Sequence, residues 1–289
     1  MHKLYLMSIY RISFKQLRQD NLRDIFAAFE RAFEKFQIDV YLIGALARDT
    51  WFAEKGIRAL GTKDVDFAVL IPDKHQFKEL KDYLVIEEKF TETKNQFTLL
   101  DTKGYQIDLL PFGSLDIEGR EIIDKEGHIH TNISGFQEVY DEATELVEFD
   151  GTFHFKVSSL AGIVVLKLIA WDDRPEIRSQ DIRDISLIIK YYFKLEEELI
   201  YNHHNDLFEI EDYNLTTLAA RVLGREMAAV LNRNTLLKQR ILNILEVNSA
   251  SIDQSIVAIL FENQSGDTVE QQYQILQELR KGIEEYISS

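Results

Sequence analysis

Two carboxylates that lie two residues apart at the start of an apolar segment are the first residues whose spacing suggests chemistry. Asp64 and Asp66 open the segment DVDFAVLI, residues 64–71, which is typical of a buried β-strand. Side chains alternate between the two faces of a strand, so this spacing puts both carboxylates on one face. A third carboxylate, Asp108, interrupts the apolar segment YQIDLLPF, residues 105–112. Because an unpaired, desolvated carboxylate is costly, these side chains need a cation or another partner.

A divalent cation is one partner that would satisfy all three carboxylates. Mg²⁺ prefers carboxylate, phosphate and water oxygens, and its charge offsets the repulsion between like charges. In the alternative interpretation, Asp64 caps a turn, Asp66 pairs with an arginine and Asp108 lies at an exposed strand edge. The four histidines at 128, 130, 203 and 204 fit no closed tetrahedral set, so no zinc site is predicted.

The segment VYLIGALARD places a glycine between a strand and a helix. A strand that ends at Gly44 and leads directly into a helix presents free backbone N–H groups and the positive end of the helix dipole, where a phosphate can bind. Arg48, one turn into the helix, would add a charge-assisted contact. In the alternative, the glycine only serves a tight turn.

The elements that must position these residues follow from hydrophobic periodicity. Residues 13–37 predict one amphipathic helix, and residues 38–57 predict a strand followed by a helix. Asp73 is the expected N-terminal cap of another helix, and strands on either side of Gly104 predict a hairpin. A second hairpin is predicted with its turn at residues 150–151.

The second half of the chain is dominated by helical periodicity. Five long helices are predicted after residue 157, and residues 195–214, LEEELIYNHHNDLFEIEDYN, are interpreted as an exposed acidic connection. The predicted fold class is therefore α+β, with a mixed β-sheet and flanking helices followed by a helical C-terminal domain. The expected domains span residues 1–155 and 156–289.

One cation and one carboxylate in the helical half also need explanation. Lys167 lies in a helix that is apolar almost all round, and Arg174 follows seven residues later, near the same face. Asp184 lies among isoleucines and leucines, so it requires a cation, and Lys167 or Arg174 is expected to supply it. Alternatively, Lys167 extends to the surface and Arg174 pairs with a neighbouring carboxylate.

Composition excludes several classes of protein. The 289 residues contain no cysteine, so disulfides and thiolate chemistry are excluded, and a cytoplasmic location is expected. No apolar run approaches the length of a membrane span, and the first residues lack a signal-peptide pattern. The net charge of −16 argues against a general nucleic-acid-binding surface, because such surfaces neutralise phosphates with Lys and Arg. A nucleotide could still be recruited locally through a bound metal.

Taken in order, these motifs resemble the nucleotidyltransferase superfamily of the DNA polymerase β type. That superfamily has a turn with Gly followed by Gly or Ser, then a strand with two carboxylates, then a third strand carboxylate. The segments GALARD, TKDVDFAVLI, IDLLPFG and LKLIAWDDRPEIRSQDIRDISLI also resemble the AbiEii-type toxin and predicted nucleotidyltransferase group. The resemblance covers residues 38–192.

The resemblance implies a role for each matching residue. Asp64, Asp66 and Asp108 would hold two Mg²⁺ ions, and Asp108 would take the proton of an attacking hydroxyl. The residues implied in nucleotide binding are Gly44, Ala45, Arg48, Thr62, Lys63, Lys167 and Arg174, together with Asp181 and Asp184 of the D-x-x-D motif. Ala45 departs from the family pattern, because the usual Gly or Ser is absent and a serine hydroxyl cannot contact the phosphate.

The predicted function is Mg²⁺-dependent transfer of a nucleoside monophosphate from a nucleoside triphosphate (NTP) to an acceptor hydroxyl, with release of pyrophosphate. The acceptor would be an RNA end such as that of tRNA, a protein or a small molecule. A toxin with a cognate antitoxin, or another protein partner, fits the resemblance. The alternative is a catalytically inactive nucleotide-sensing or partner-binding protein of the same fold, which Ala45 favours. A plain helical scaffold would leave the three carboxylates unexplained.

Overall fold

A computed structural model describes residues 9–19, 21–113, 121–123, 130–209, 214–250, 256 and 268–285. Within them, contacts divide the chain into two compact units. The first unit contains the chain up to residue 113 and residues 144–157, and the second contains residues 121–123, 130–143 and 158–285. The segment 130–143 therefore belongs with the helices. The domains at 1–155 and 156–289 stay a prediction.

The first unit is built on an eight-stranded mixed sheet. In chain order the strands of the protein are β1 (Tyr10–Ile12), β2 (Val40–Ile43), β3 (Asp64–Leu70), β4 (Thr91–Glu92), β5 (Thr98–Leu100), β6 (Gln106–Phe112), β7 (Glu121–Ile123), β8 (His130–Asn132), β9 (Thr144–Phe149) and β10 (Phe153–Ser158). Their order across the sheet is β1-β9-β10-β2-β3-β6-β5-β4, whereas β7 and β8 form a separate pair. This mixed sheet, with helices after it, confirms the predicted α+β class.

Both predicted hairpins are present. Strands β5 and β6 pair antiparallel around Gly104, which has a φ of +82°. Strands β9 and β10 are neighbours in the sheet, and Asp150 and Gly151 between them have φ values of +54° and +69°. Positive φ at both central residues is the type I′ geometry, whose twist matches that of the flanking strands. These turns bring β6 and β10 back into the sheet.

Four helices belong to the first unit: α1 (Phe14–Leu17), α2 (Leu22–Phe36), α3 (Gly44–Glu54) and α4 (Lys74–Ile86). Helix α4 begins as predicted, because the Asp73 side chain accepts hydrogen bonds from the N–H groups of His75 and Gln76. The single helix predicted over residues 13–37 is wrong. Arg18 adopts the left-handed conformation with φ +58° and ends α1, so the chain turns before α2 starts.

Helix α2 covers one face of the sheet with a row of phenylalanines. The rings of Phe29 and Phe33 lie 5.0 and 5.5 Å from the ring of Phe67 on β3, and Phe26 lies 6.3 Å from it. Phe67 is fully buried. Since strand side chains alternate, the carboxylate of Asp66 projects from the opposite face of the sheet.

The second unit is helical. Its helices are α5 (Phe136–Glu142), α6 (Leu160–Asp173), α7 (Ser179–Leu195), α8 (Glu197–His203), α9 (Leu215–Leu231), α10 (Thr235–Ala250) and α11 (Val269–Glu285), with a 3₁₀ turn at Asn205–Glu209. Residues 195–214, predicted as an exposed acidic connection, are mostly exposed where they are described, but they contain α8 and the 3₁₀ turn, which bury Ile200 and Leu207. Residues 210–213 lie outside the described part. Among the described helices, none is both long and apolar enough to cross a lipid bilayer.

Candidate active site

The register of the sheet brings two of the predicted carboxylates side by side. Strands β3 and β6 are parallel neighbours, with Asp66 opposite Asp108 and Asp64 opposite Gln106. Residues that are opposite each other on paired strands project to the same face. Asp64, Asp66 and Asp108 therefore share one face of the first unit and form what we call the carboxylate patch. Asp108 lies on an interior strand, so the alternative of an exposed edge position is wrong.

The electrostatics of the patch are those of like charges held near each other. Asp64 starts β3 at an exposed position, yet partial burial of its carboxyl group raises its pKa, and the negative charge of Asp108 raises that pKa further. A bound cation would oppose this rise, because a nearby opposite charge favours the ionised carboxylate. Nowhere in the described residues are three His, Asp or Glu side chains arranged as a ready metal-binding group. The oxygen donors of the patch are of the type that Mg²⁺ prefers, and a Mg²⁺ site here stays a prediction.

Asp108 is held from both sides by hydrogen bonds. The Thr98 hydroxyl donates to Oδ1 of Asp108 at 2.6 Å, and the Gln106 amide donates to Oδ2 at 3.1 Å. Neither donor was predicted from the sequence. The signals were present, because Gln106 precedes Asp108 by two residues on the same strand and Thr98 lies opposite it across the predicted hairpin.

Gly44 is required at the turn between β2 and α3 for two reasons. Its φ is +68°, a conformation that residues with a side chain rarely adopt, and a Cβ atom there would lie 2.2 Å from Oδ2 of Asp66. The backbone at Gly44 thus passes directly beside the carboxylate patch. Among the described residues no side chain caps the N-terminus of α3, so its first N–H groups suit an anion. Ala45 is half-buried and adds no hydroxyl group.

Arg48 lies inside the protein. It is 3% exposed, and its Nε and Nη2 atoms donate to Oδ1 of Asp49 at 2.9 and 2.6 Å. The other carboxylate oxygen of Asp49 accepts the N–H of Gly61 at 2.9 Å, which fixes the loop before β3. The guanidinium is thus engaged by a buried carboxylate, and its predicted contact with a phosphate stays a prediction.

The loop also contains Thr62 and Lys63. The Thr62 hydroxyl accepts the N–H of Asp64 at 3.0 Å, and the carbonyl oxygen of Lys63 accepts the N–H of Gln106 at 3.0 Å. Lys63 is exposed and Thr62 is half-buried. The loop is therefore tied to the first residue of the patch and to β6, and the two nucleotide-binding roles stay predictions.

Lys167 and the D-x-x-D motif form a buried ion cluster within the second unit. The Lys167 ammonium lies 2.8 Å from Oδ1 of Asp181 and 2.7 Å from Oδ2 of Asp184. Burial lowers the pKa of Lys167, but the two carboxylates outweigh burial and raise it above its ordinary value. The expectation that Lys167 or Arg174 pairs with Asp184 is confirmed for Lys167, and the alternative of a surface lysine is wrong. A phosphate contact stays a prediction.

Arg174 ends α6 and is half-buried. The structure gives its side chain no ion pair among the described residues, so the alternative of a pair with a neighbouring carboxylate is not supported. Asp172 and Asp173 are instead bound by Arg240, at 2.7 and 2.5 Å. A role for Arg174 at a phosphate stays a prediction.

Two of the four histidines, His203 and His204, lie at the end of α8 in the second unit. His204 is buried, and its Nε2 atom lies 3.0 Å from Oε1 of Glu226, whereas His203 is exposed. His128 lies outside the described residues. The Nδ1 atom of His204 also lies 3.4 Å from Nη1 of Arg225, so contacts on both ring nitrogens explain His204 as a structural residue.

The sequence matches no protein-family model and no curated protein. Several solved structures are distantly similar to this chain. The antibiotic-resistance factor ANT(2'')-Ia is 12% identical, with a TM-score of 0.38, over 66% of this chain and 97% of its own. A CCA-adding enzyme in complex with ATP is 15% identical, with a TM-score of 0.34, over 94% of this chain and 70% of its own.

The third similar structure is the Thermotoga maritima CCA-adding enzyme complexed with tRNA. It is 13% identical, with a TM-score of 0.33, over 96% of this chain and 85% of its own. These TM-scores, all below 0.5, do not establish a shared fold.

Proposed function

We propose that the protein is a Mg²⁺-dependent nucleotidyltransferase that transfers a nucleoside monophosphate from an NTP to an acceptor hydroxyl, with release of pyrophosphate. The observation that carries the proposal is the pairing of Asp66 with Asp108 on adjacent strands, with Asp64 on the same face and the Gly44 turn against Asp66. Carboxylates on neighbouring rigid strands beside uncapped helix N–H groups suit a metal-bound triphosphate.

In this proposal the side chains have distinct roles. Asp64, Asp66 and Asp108 would hold two Mg²⁺ ions, which supply charge neutralisation and polarise phosphate oxygens. The N–H groups at Gly44 and Ala45 would bind the triphosphate. A new bond forms between the acceptor oxygen and the α-phosphorus as the bond to pyrophosphate breaks, and the carboxylate of Asp108 takes the acceptor's proton.

The proposal extends to the acceptor and to the biological setting. An RNA end such as that of tRNA, a protein hydroxyl and a small molecule each provide the required nucleophile. The net charge of −16 makes a large RNA the least favourable of these. The resemblance to the AbiEii-type group extends the proposal to a cytoplasmic toxin with a cognate antitoxin or another protein partner.

A label-transfer assay tests the enzyme. The purified protein is incubated with each α-labelled NTP, Mg²⁺ and, in separate reactions, cellular RNA, cellular protein or a small-molecule extract. We expect label to enter one of these fractions. Transfer should vanish in the double variant Asp64→Ala, Asp66→Ala and persist in Asp39→Ala, which removes an exposed carboxylate of the same unit. No transfer to any fraction, or equal transfer by the double variant, would contradict the proposal.

Ala45 favours the second candidate, a nucleotide-sensing or partner-binding protein without activity. Only backbone donors remain at this position, which weakens the hold on a triphosphate. Mg²⁺-dependent binding of an NTP without transfer would support this candidate. The variant Ala45→Ser restores a hydroxyl donor. A gain in its NTP affinity would show that position 45 contacts the phosphates, whether the protein is an enzyme or a sensor.

A further inference from the structure

Asp108 is oriented by donors on two strands of the sheet. Thr98 lies directly opposite Asp108 on β5, so its hydroxyl projects to the same face of the sheet. An ionised carboxylate only accepts hydrogen bonds, so the hydroxyl proton of Thr98 must point to Oδ1. Gln106, two residues earlier on β6, donates to Oδ2. With one donor on each oxygen, rotation of the carboxylate breaks at least one hydrogen bond.

The two donors are themselves fixed. Thr98 is 5% exposed, and its backbone N–H donates to the carbonyl oxygen of Asn95 at 3.0 Å. The backbone N–H of Gln106 donates to the carbonyl oxygen of Lys63 at 3.0 Å. Both side chains belong to strands of the sheet, so the strand fixes the position of each donor. Asp108 is consequently held by the sheet itself.

The two hydrogen bonds leave the carboxylate able to bind something else. Each carboxylate oxygen has two lone pairs, and the donors use one lone pair of each. One lone pair per oxygen remains in a defined direction. Asp64 contrasts with this, since the structure gives its carboxylate no hydrogen bond among the described residues. Asp108 is therefore the preoriented carboxylate of this pair, and Asp64 is the adjustable one.

We propose that Thr98 and Gln106 are positioning residues that set the direction in which Asp108 accepts the acceptor's proton and contacts the metal. This inference rests on the proposed function, because positioning matters only if Asp108 takes part in the transfer. Misplacing a reacting group by about 1 Å can cost on the order of 100-fold in rate. Loss of one of two donors should cost less, because the other still restrains the carboxylate.

The kinetic test compares Thr98→Val, which removes the hydroxyl at nearly constant shape, with Thr98→Ser, which keeps it. We expect Thr98→Val to lower kcat of label transfer about tenfold with little change in KM for the NTP, since KM reports binding by other groups. Thr98→Ser should restore most of kcat. Thr91→Val, on the edge strand β4, is the matched control and should leave kcat unchanged. Equal kcat in Thr98→Val and wild type, or equal loss in both Thr98 variants, would overturn the inference.

A second measurement separates this inference from the proposed function. Crystal structures of the ligand-free wild type and of Thr98→Val with Gln106→Met show the orientation of the Asp108 carboxylate directly. We expect a rotated carboxylate, or two alternative conformers, in the double variant. An unchanged carboxylate would overturn the positioning role whatever the enzyme does. A rotated carboxylate in a protein whose wild type transfers no label would show that Thr98 and Gln106 orient Asp108, and would reject the nucleotidyltransferase together with the catalytic purpose of that orientation.

Discussion

At the scale of single residues, the three carboxylates of the patch differ in what restrains them. Asp108 is half-buried and accepts two hydrogen bonds, and Asp66 lies against the backbone of Gly44. Asp64 is exposed, with a pKa raised by partial burial and by the charge of Asp108. The patch therefore stores an unfavourable interaction that is largest when Asp64 is ionised.

This interaction predicts a stability gain when the charge of Asp64 is removed. Below the unfolded pKa of about 3.9, both folded and unfolded Asp64 are protonated and the penalty is absent. The penalty grows as the pH rises from the unfolded pKa through the raised folded pKa, and it is complete above the folded pKa. In EDTA, Asp64→Asn should therefore raise the free energy of unfolding at pH 7 by less than about 1 kcal/mol, because water screens an exposed charge.

Urea denaturation at pH 7 and near pH 4 measures this effect. The gain in the free energy of unfolding from Asp64→Asn should shrink as the pH falls. The control Glu34→Gln, which removes an exposed carboxylate on α2, should show no such trend. A gain that is equal at both pH values would show that repulsion at Asp64 is not its cause.

Lys167 is the residue whose charge matters most for the stability of the second unit. The variant Lys167→Met keeps the volume but leaves Asp181 and Asp184 buried without their ammonium partner. We expect a loss of about 3–5 kcal/mol in the free energy of unfolding, typical of a broken buried pair. Chemical denaturation measures it, with exposed Lys194→Met as control. Similar losses in both variants would contradict the structural role of the cluster.

At the scale of elements, helices α9 and α11 cross at two glycines. A Cβ atom at Gly224 would lie 2.1 Å from the carbonyl oxygen of Leu279, and one at Gly282 would lie 2.1 Å from that of Arg221. Neither glycine has a positive φ among those observed, so close packing is the reason for glycine here. Around the crossing, Arg221 and Arg225 pair with Glu285 at 2.5 and 2.7 Å.

Gly224→Ala should force the two helices apart. Overpacking of this kind costs about 1–3 kcal/mol, and a backbone oxygen cannot rotate away as a side chain can. The free energy of unfolding, measured in urea, should fall by that amount or more. Because both glycines serve one crossing, Gly224→Ala and Gly282→Ala together should cost less than their sum. Gln277→Ala, exposed on α11, should stay within about 0.5 kcal/mol of wild type, and additive glycine effects would contradict a shared crossing.

Elements with a local signal were predictable from the sequence. The hairpin turn at residues 150–151 and the Asp73 cap follow from local backbone and side-chain preferences. The break between α1 and α2 was not predictable, because Arg18 carries no signal for the left-handed conformation. Helix α5 was not predicted because it is short and its cap residue, Gly135, has no side chain to accept a hydrogen bond from the first N–H groups.

At the scale of the whole molecule, the net charge of −16 lowers the affinity for polyanions such as RNA. Long-range repulsion between the protein and RNA is not compensated by counterion release, which requires many Lys and Arg contacts. For a fluorescent unstructured RNA at about 0.15 M salt, we expect a Kd weaker than about 10⁻⁴ M, the weak end of non-specific binding. Fluorescence anisotropy measures it. Micromolar binding with a steep salt dependence would show a basic surface that the total charge conceals.

The sequence by itself determined the alternation of β3, the turn at Gly44, the hairpin that returns β6, and the helical second half. Each of these is a local property, since periodicity and turn preferences act over a few residues. The placement of Asp66 beside Asp108 depended on the pairing of strands that are distant in the chain. Likewise, only the folded structure placed Asp49 on Arg48 and Gly61, and Asp181 on Lys167 beside the expected Asp184. Such contacts depend on the packing of residues that are distant in the chain and on burial. A local sequence pattern therefore does not determine the partner of a buried charge.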